Sequence, residues 1–204
     1  MRLFVAIDLT PEIHAILAEL MDKLRPTTTA MRWTKPEGLH LTLKFIGETP
    51  DEKLDAIRVR LANVHSTAPV EMRFRDLGFF PNERQPRVFW VGIEATPNLA
   101  ELAAQVETEL AALGIPPEKR PFVPHLTLGR FRAPDRSRAL QETIRTFAAR
   151  EFGRQTATEF FLYQSQLSPR GASYKKLERF EFTRHECRSN FVELKAPNAR
   201  TRGH

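Results

Sequence analysis

His40-Leu41-Thr42-Leu43 and His125-Leu126-Thr127-Leu128 are one four-residue string written twice. Both copies sit in apolar, strand-like surroundings, and successive side chains of a strand point to opposite faces. His40 and Thr42 therefore share one face, and Leu41, Leu43 and Phe45 share the other. The leucines mark the buried face, so each His/Thr pair looks outward. Strict alternation puts Lys44 beside His40 and Thr42, and puts Arg130 on the far side with Leu126 and Leu128. Gly129 offers the one route by which a bulge or strand end turns Arg130 inward.

The strings belong to a longer repeat. The two histidines are 85 residues apart, and the same shift carries Arg2-Leu3-Phe4-Val5 onto Arg87-Val88-Phe89-Trp90. Thr10-Pro11 and Thr96-Pro97 each read as an N-cap followed by proline at the first helical position. Apolar stripes follow at helical spacing: Ile13, Leu17, Leu20, Met21 and Leu24, then Leu99, Leu102, Val106, Leu110 and Leu113. Beyond each histidine lies a second helix. Thr49 to Glu52 reads as a capping box before Leu54, Ile57, Leu61 and Val64, and a counterpart starts near Asp135 with Leu140, Ile144 and Phe147. Strand material closes each half, at 70–79 leading into 87–93, and at 159–167 leading through the turn at 168–171 into 173–182.

Strand, helix, strand, helix, strand thus recurs, and the pattern predicts an α+β fold. Two pseudo-symmetric lobes each carry a mainly antiparallel sheet with helices on its outer face, and the uncovered faces form a central groove holding both His/Thr pairs. The crossing between lobes is expected around residues 80–95. Residues 1–194 read as a single domain of two interleaved lobes, and 195–204 as a flexible basic tail.

At 204 residues, 41% hydrophobic and 27% charged, the chain is globular rather than disordered. A surplus of 31 Lys and Arg over 25 Asp and Glu favours a polyanionic partner. The single cysteine, Cys187, excludes an intrachain disulfide or a cysteine metal cluster, and fits a reducing cytoplasm. No apolar run is long enough to cross a bilayer.

A lone strand histidine is usually structural, but two in identical strings at equivalent places of a repeat point to chemistry. Imidazole titrates near pH 6.5, so one copy serves as base while the other serves as acid. Phosphodiester hydrolysis needs both, because the attacking water loses a proton and the departing alkoxide gains one. His40 and His125 are the catalytic candidates, without metal or other cofactor. Thr42 and Thr127 donate hydroxyl hydrogen bonds to the phosphoryl oxygens, and Lys44 and Arg130 are candidate substrate contacts. Such a pair predicts a rate that peaks near neutral pH. His14 falls on the polar side of the first helix and receives no role; His65, His185 and His204 receive none either.

At these residues the sequence resembles the two-histidine phosphoesterase superfamily, and within it the RNA 2′,3′-cyclic phosphodiesterases, also called 2′–5′ RNA ligases. The resemblance runs from Arg2–Ile7 through Arg32-Trp33, Leu39–Gly47, Pro86–Gly92, Arg120–Phe122 and Pro124–Arg130 to Leu167–Tyr174. It implies opening of a terminal 2′,3′-cyclic phosphate on RNA to a 2′-phosphomonoester, with His40 protonating the leaving 3′ oxygen and His125 activating water. It also implies a reversible ligase activity. The expected partners are RNA ends or nucleotides carrying the cyclic phosphate, with no membrane, and the chain is read as a monomer. Three rival readings differ in observable ways. An RNA-binding module without catalysis binds without turnover, a phosphodiesterase for 2′–5′ oligonucleotides or small cyclic nucleotides prefers those substrates, and a metal enzyme loses activity on chelation.

Overall fold

Two antiparallel sheets, with helices packed on the faces turned away from each other, make up the computed structural model, which describes residues 1–132, 138–147, 150–168 and 171–183. The first sheet contains β1 (Arg2–Ile7), β3 (Leu41–Glu48), β8 (Glu159–Ser168) and β9 (Gly171–Glu181) in the order β3-β1-β8-β9. The second contains β2 (Met31–Trp33), β4 (Val70–Phe80), β5 (Val88–Ala95), β6 (His125–Phe131) and β7 (Glu151–Ala157) in the order β2-β6-β5-β4-β7. The helices are α1 (Pro11–Leu24), α2 (Leu54–Leu61), α3 (Asn98–Ala111) and α4 (Arg138–Thr146).

The α+β architecture agrees with the sequence, but the crossing does not. β2 and β4 both lie in the second sheet, so the chain crosses to β2, comes back to β3, and crosses again between α2 and Val70, not around residues 80–95. It returns between β7 and β8. Each sheet therefore draws strands from both halves of the sequence: β1 and β3 are completed by β8 and β9, while β5 and β6 are completed by β4. The predicted start of α4 at Asp135, the residues Pro169 and Arg170, Cys187 and the 195–204 tail lie outside the described residues.

The helical stripes are buried as their periodicity requires. Ile13, Leu17, Leu20, Met21 and Leu24 of α1 enter the core with Leu3, Val5 and Ile7, and Leu99, Leu102, Val106 and Leu110 of α3 do so with Phe89 and Val91. Thr10 caps α1 by accepting from the Ile13 N–H, with Pro11 at the first helical position. Its counterpart fails. The Thr96 hydroxyl donates to Asn98 and accepts from the Glu71 N–H, and α3 starts at Asn98 without a side-chain cap. Thr49 likewise donates to the Gly47 carbonyl at 3.2 Å, and a 3₁₀ turn at Asp51–Lys53 replaces the expected capping box.

One irregularity positions the site. In β3, Lys44 pairs with Val5 but Thr42 pairs with Ala6, so Leu43 is an extra residue. In β6, Gly129 pairs with Phe89 but Thr127 pairs with Trp90, so Leu128 is extra in the same way. Each motif strand thus carries a one-residue bulge just after its threonine, and beyond it the alternation is inverted. The ladders also correct the repeat. Phe4 faces Phe45 and Val88 faces Arg130, so the motif strands match at 85 residues but the opening strands at 84. Val5 corresponds to Phe89, both fully buried.

Candidate active site

β3 is the edge strand of the first sheet, and its Cα atoms come within 8 Å of those of β6 in the second. The two histidine strands thus meet where the sheets join. On the first sheet, Phe4, Ala6, Phe161 and Tyr163 form a small apolar cluster separate from the main core, and this is the groove face. His40 stacks on Phe4 at 4.6 Å between ring centroids and meets Tyr174 edge-on at 5.1 Å. On the second sheet His125 meets Phe80 edge-on at 4.9 Å. Thr127 pairs across the strand with Trp90, whose ring lies so close over Gly78 that a Cβ there would collide with it.

Both imidazoles are anchored in the same way, through a carbonyl two residues back. Nδ1–H of His125 donates to the Val123 carbonyl at 2.7 Å, which leaves Nε2 free to exchange a proton. His40 donates to the Gly38 carbonyl. Burial lowers the His40 pKa to about 4, opposed by the Asp8 carboxylate and the Gly38 bond and assisted by His14. Burial also holds His125 below its ordinary value; the Val123 carbonyl opposes it and the Arg130 guanidinium adds to it. Fixed charge therefore acts in opposite directions at the two rings: a carboxylate favours the imidazolium at His40, and a cation disfavours it at His125.

The bulges decide the two basic residues. Inverted alternation turns Lys44 into the core, where it is 4% exposed. Its Nζ donates to Glu107 Oε2 and to the Pro116 carbonyl, both at 2.7 Å. Lys44 is thus a structural ion pair beside α3, not a groove charge. Phe45, expected inside, is 58% exposed and faces Phe4. The same inversion buries Gly129 and brings Arg130 to the face of His125 and Thr127. Phe45 and Arg130 are the equivalent positions of the two strings; the residue that differs in kind sits at the same structural point.

Sequence alone gives no hint of what surrounds His40. A cavity of about 390 Å³ beside it is lined by Asp8, His14, Glu37, Tyr163, Tyr174 and Lys176. Asp8 accepts from the Tyr163 hydroxyl through one oxygen and pairs with the Lys176 ammonium through the other. Burial and that carboxylate hold the Tyr163 phenol well above its ordinary pKa. The Asp8 backbone is fixed by buried Gln155 of β7, which donates to the Asp8 carbonyl at 2.6 Å and accepts from the Thr10 N–H at 2.8 Å. His14, read as a polar-face residue, presents a buried Nδ1 with no partner among the described residues. These groups converge from α1, the loop after β1, the 3₁₀ turn at Pro36–Gly38, β8 and β9, and no local pattern links them. Among the described residues no helix is long and apolar enough to cross a membrane.

A model of the 2′-5′ RNA ligase superfamily matches residues 15–168, a span that includes both histidine strings. The chain belongs to the 2′-5′ RNA ligase superfamily. Among curated superfamily members, it is 40% identical to the RNA 2′,3′-cyclic phosphodiesterase of Thermus thermophilus over 189 residues, covering 88% of this chain and 89% of that protein. It is 36% identical to the enzyme of the same name from Archaeoglobus fulgidus, covering 89% and 100%. Two solved structures align over nearly their whole length. The Thermus thermophilus protein TT0787 gives a TM-score of 0.75 at 34% identity, over 89% of this chain and 98% of that one. E. coli LigT complexed with 3′-AMP gives 0.72 at 30%, over 90% and 98%. The superfamily fold thus accounts for both sheets and for the junction where the histidine strands meet.

Proposed function

We propose that the chain is an RNA 2′,3′-cyclic phosphodiesterase that hydrolyses the terminal cyclic phosphate to a 2′-phosphomonoester by acid–base catalysis between His125 and His40, without a metal. The observation that carries this reading is the repeated bulged strand: each copy has an imidazole and a threonine just ahead of its bulge, and the two strands approach within 8 Å between Cα atoms. The relatives' activity supports the same substrate class.

His125 Nε2 takes a proton from water as the water oxygen attacks phosphorus, and His40 delivers a proton to the 3′ oxygen as the P–O3′ bond breaks. Asp8 beside His40 and Arg130 beside His125 bias the two rings toward those roles. Each positioned proton transfer typically contributes ~10²–10⁴-fold. Thr42 and Thr127 donate to the non-bridging oxygens, and Arg130 neutralises charge that grows there. Metal is not required, because the two imidazoles supply both proton transfers.

The test is product analysis. Purified protein incubated with an RNA ending in a 2′,3′-cyclic phosphate, after exhaustive chelation, is expected to yield the 2′-monoester. A 3′-monoester product, tight binding without turnover, or activity that returns only with added metal contradicts the proposal.

A further inference from the structure

Arg32 lies directly across the ladder from Arg130, since β2 pairs with β6 in the register Met31 to Phe131, Arg32 to Arg130, Trp33 to Gly129. Trp33, its neighbour in sequence, packs edge-on against Phe89 on the core side, so Arg32 falls on the opposite face with Arg130, His125 and Thr127. Both arginines are exposed. Like charges directly opposite one another on adjacent strands are destabilising, and nothing in the described protein relieves this pair. Arg75 and Arg154 of the same sheet each hold a carboxylate, Glu94 at 3.1 Å and Glu151 at 2.6 Å. Arg32 and Arg130 have none among the described residues.

An unrelieved pair of guanidinium forks beside a phosphate-processing site fits an anionic ligand larger than one phosphate. Guanidinium matches phosphate geometry with two parallel hydrogen bonds. Arg130, on the strand of His125, is placed for the reacting phosphate. Arg32 stands one strand further out, a step of ~4.8 Å. We propose that Arg32, paired with Arg130, binds the phosphodiester immediately upstream of the cyclic phosphate, so that the site prefers an RNA chain end over a mononucleotide. The inference rests on the cyclic phosphodiesterase reading and extends it to the substrate's second phosphate. The chain's net charge of +6 suits such a polyanion.

The experiment compares a tetranucleotide ending in a 2′,3′-cyclic phosphate with cytidine 2′,3′-cyclic phosphate. In Arg32→Ala the ratio of kcat/KM values, oligonucleotide over mononucleotide, is expected to fall at least about fivefold, through KM, as befits one charge-assisted contact. The slope of log KM against log salt for the oligonucleotide should shrink by about one, and Arg32→Lys should restore most of that slope. The thermal midpoint of Arg32→Ala should not drop, because a repulsive cross-strand pair has been removed. An unchanged ratio, an equal loss on both substrates, or an unchanged salt slope overturns the inference. A parallel arm measures binding of a fluorescent tetranucleotide with a 2′-phosphate end by anisotropy, which needs no turnover. There, an Arg32-dependent salt slope without hydrolysis by the unaltered protein sinks the proposed activity and keeps the subsite; hydrolysis without that slope does the reverse.

Discussion

Burial lowers the pKa of both imidazoles, whereas an acid–base pair needs one of them charged. In the free protein the form with His40 protonated and His125 neutral becomes scarcer as pH rises above about 4, the His40 value. The kcat/KM profile, which reports the free protein, should therefore peak on the acid side of 6.5 and decline through neutrality. A bound phosphodiester anion favours imidazolium at both rings, so the kcat profile should peak at higher pH, nearer the neutral optimum that unperturbed histidines suggest. Coincident profiles, or a kcat/KM flat from pH 5 to 8, would contradict this account of the site. Lys44 allows a second test at this scale. Lys44→Met removes an ammonium held by Glu107 and Pro116, which takes a donor from the Pro116 carbonyl and leaves Glu107 Oε2 with the Glu118 N–H. It should cost about 2–3 kcal/mol in urea unfolding with little change in kcat/KM. A large activity loss without a stability loss would return Lys44 to the groove.

At the scale of the element, what the sequence discloses depends on whether the signal is local. The α1 and α3 stripes were readable because burial at a 3.6-residue period repeats over three or more turns. The identity and pairing of His40, Thr42, His125 and Thr127 were readable because a duplicated string is improbable by chance. The bulges were not, since alternation predicts faces only while the register holds, and an extra residue in a strand leaves no mark in composition. Strict alternation therefore puts Lys44, Phe45 and Arg130 on the wrong faces, all for one reason. Only Gly129 hinted at it. The tight packing there gives a test: a Cβ on Gly129 would sit 2.7 Å from Met31 Cγ and 3.2 Å from the Arg32 carbonyl. Gly129→Ala should thus overpack the β2–β6 contact and destabilise by ~1–3 kcal/mol in chemical denaturation. A neutral result would mean that β2 moves freely against β6.

Across the whole molecule the two sheets are not two independent halves. The ladder of β1 and β3 is completed by β8 and β9, and Gln155 of β7 fastens the loop after β1 to the other sheet. A fragment of residues 1–95 should therefore show no cooperative thermal transition by circular dichroism, although it contains a complete copy of the sequence repeat. A cooperative melt of that fragment would mean that the strand exchange is dispensable. This interleaving also explains why the surroundings of His40 escaped sequence reasoning. Tyr163, Tyr174 and Lys176 reach it from strands that follow the second motif, more than 120 residues away.

The division of labour between the histidines can be read directly with a substrate whose 3′ bridging oxygen is replaced by sulfur. A thiolate leaves without needing a proton, so His40→Ala, expected to lose at least ~10²-fold on the normal cyclic phosphate, should recover most of its rate on the sulfur analogue. His125→Ala should stay impaired on both, because the attacking water still lacks its base. Equal impairment of the two variants on the sulfur substrate, or rescue of His125→Ala instead, would contradict the assignment of acid and base.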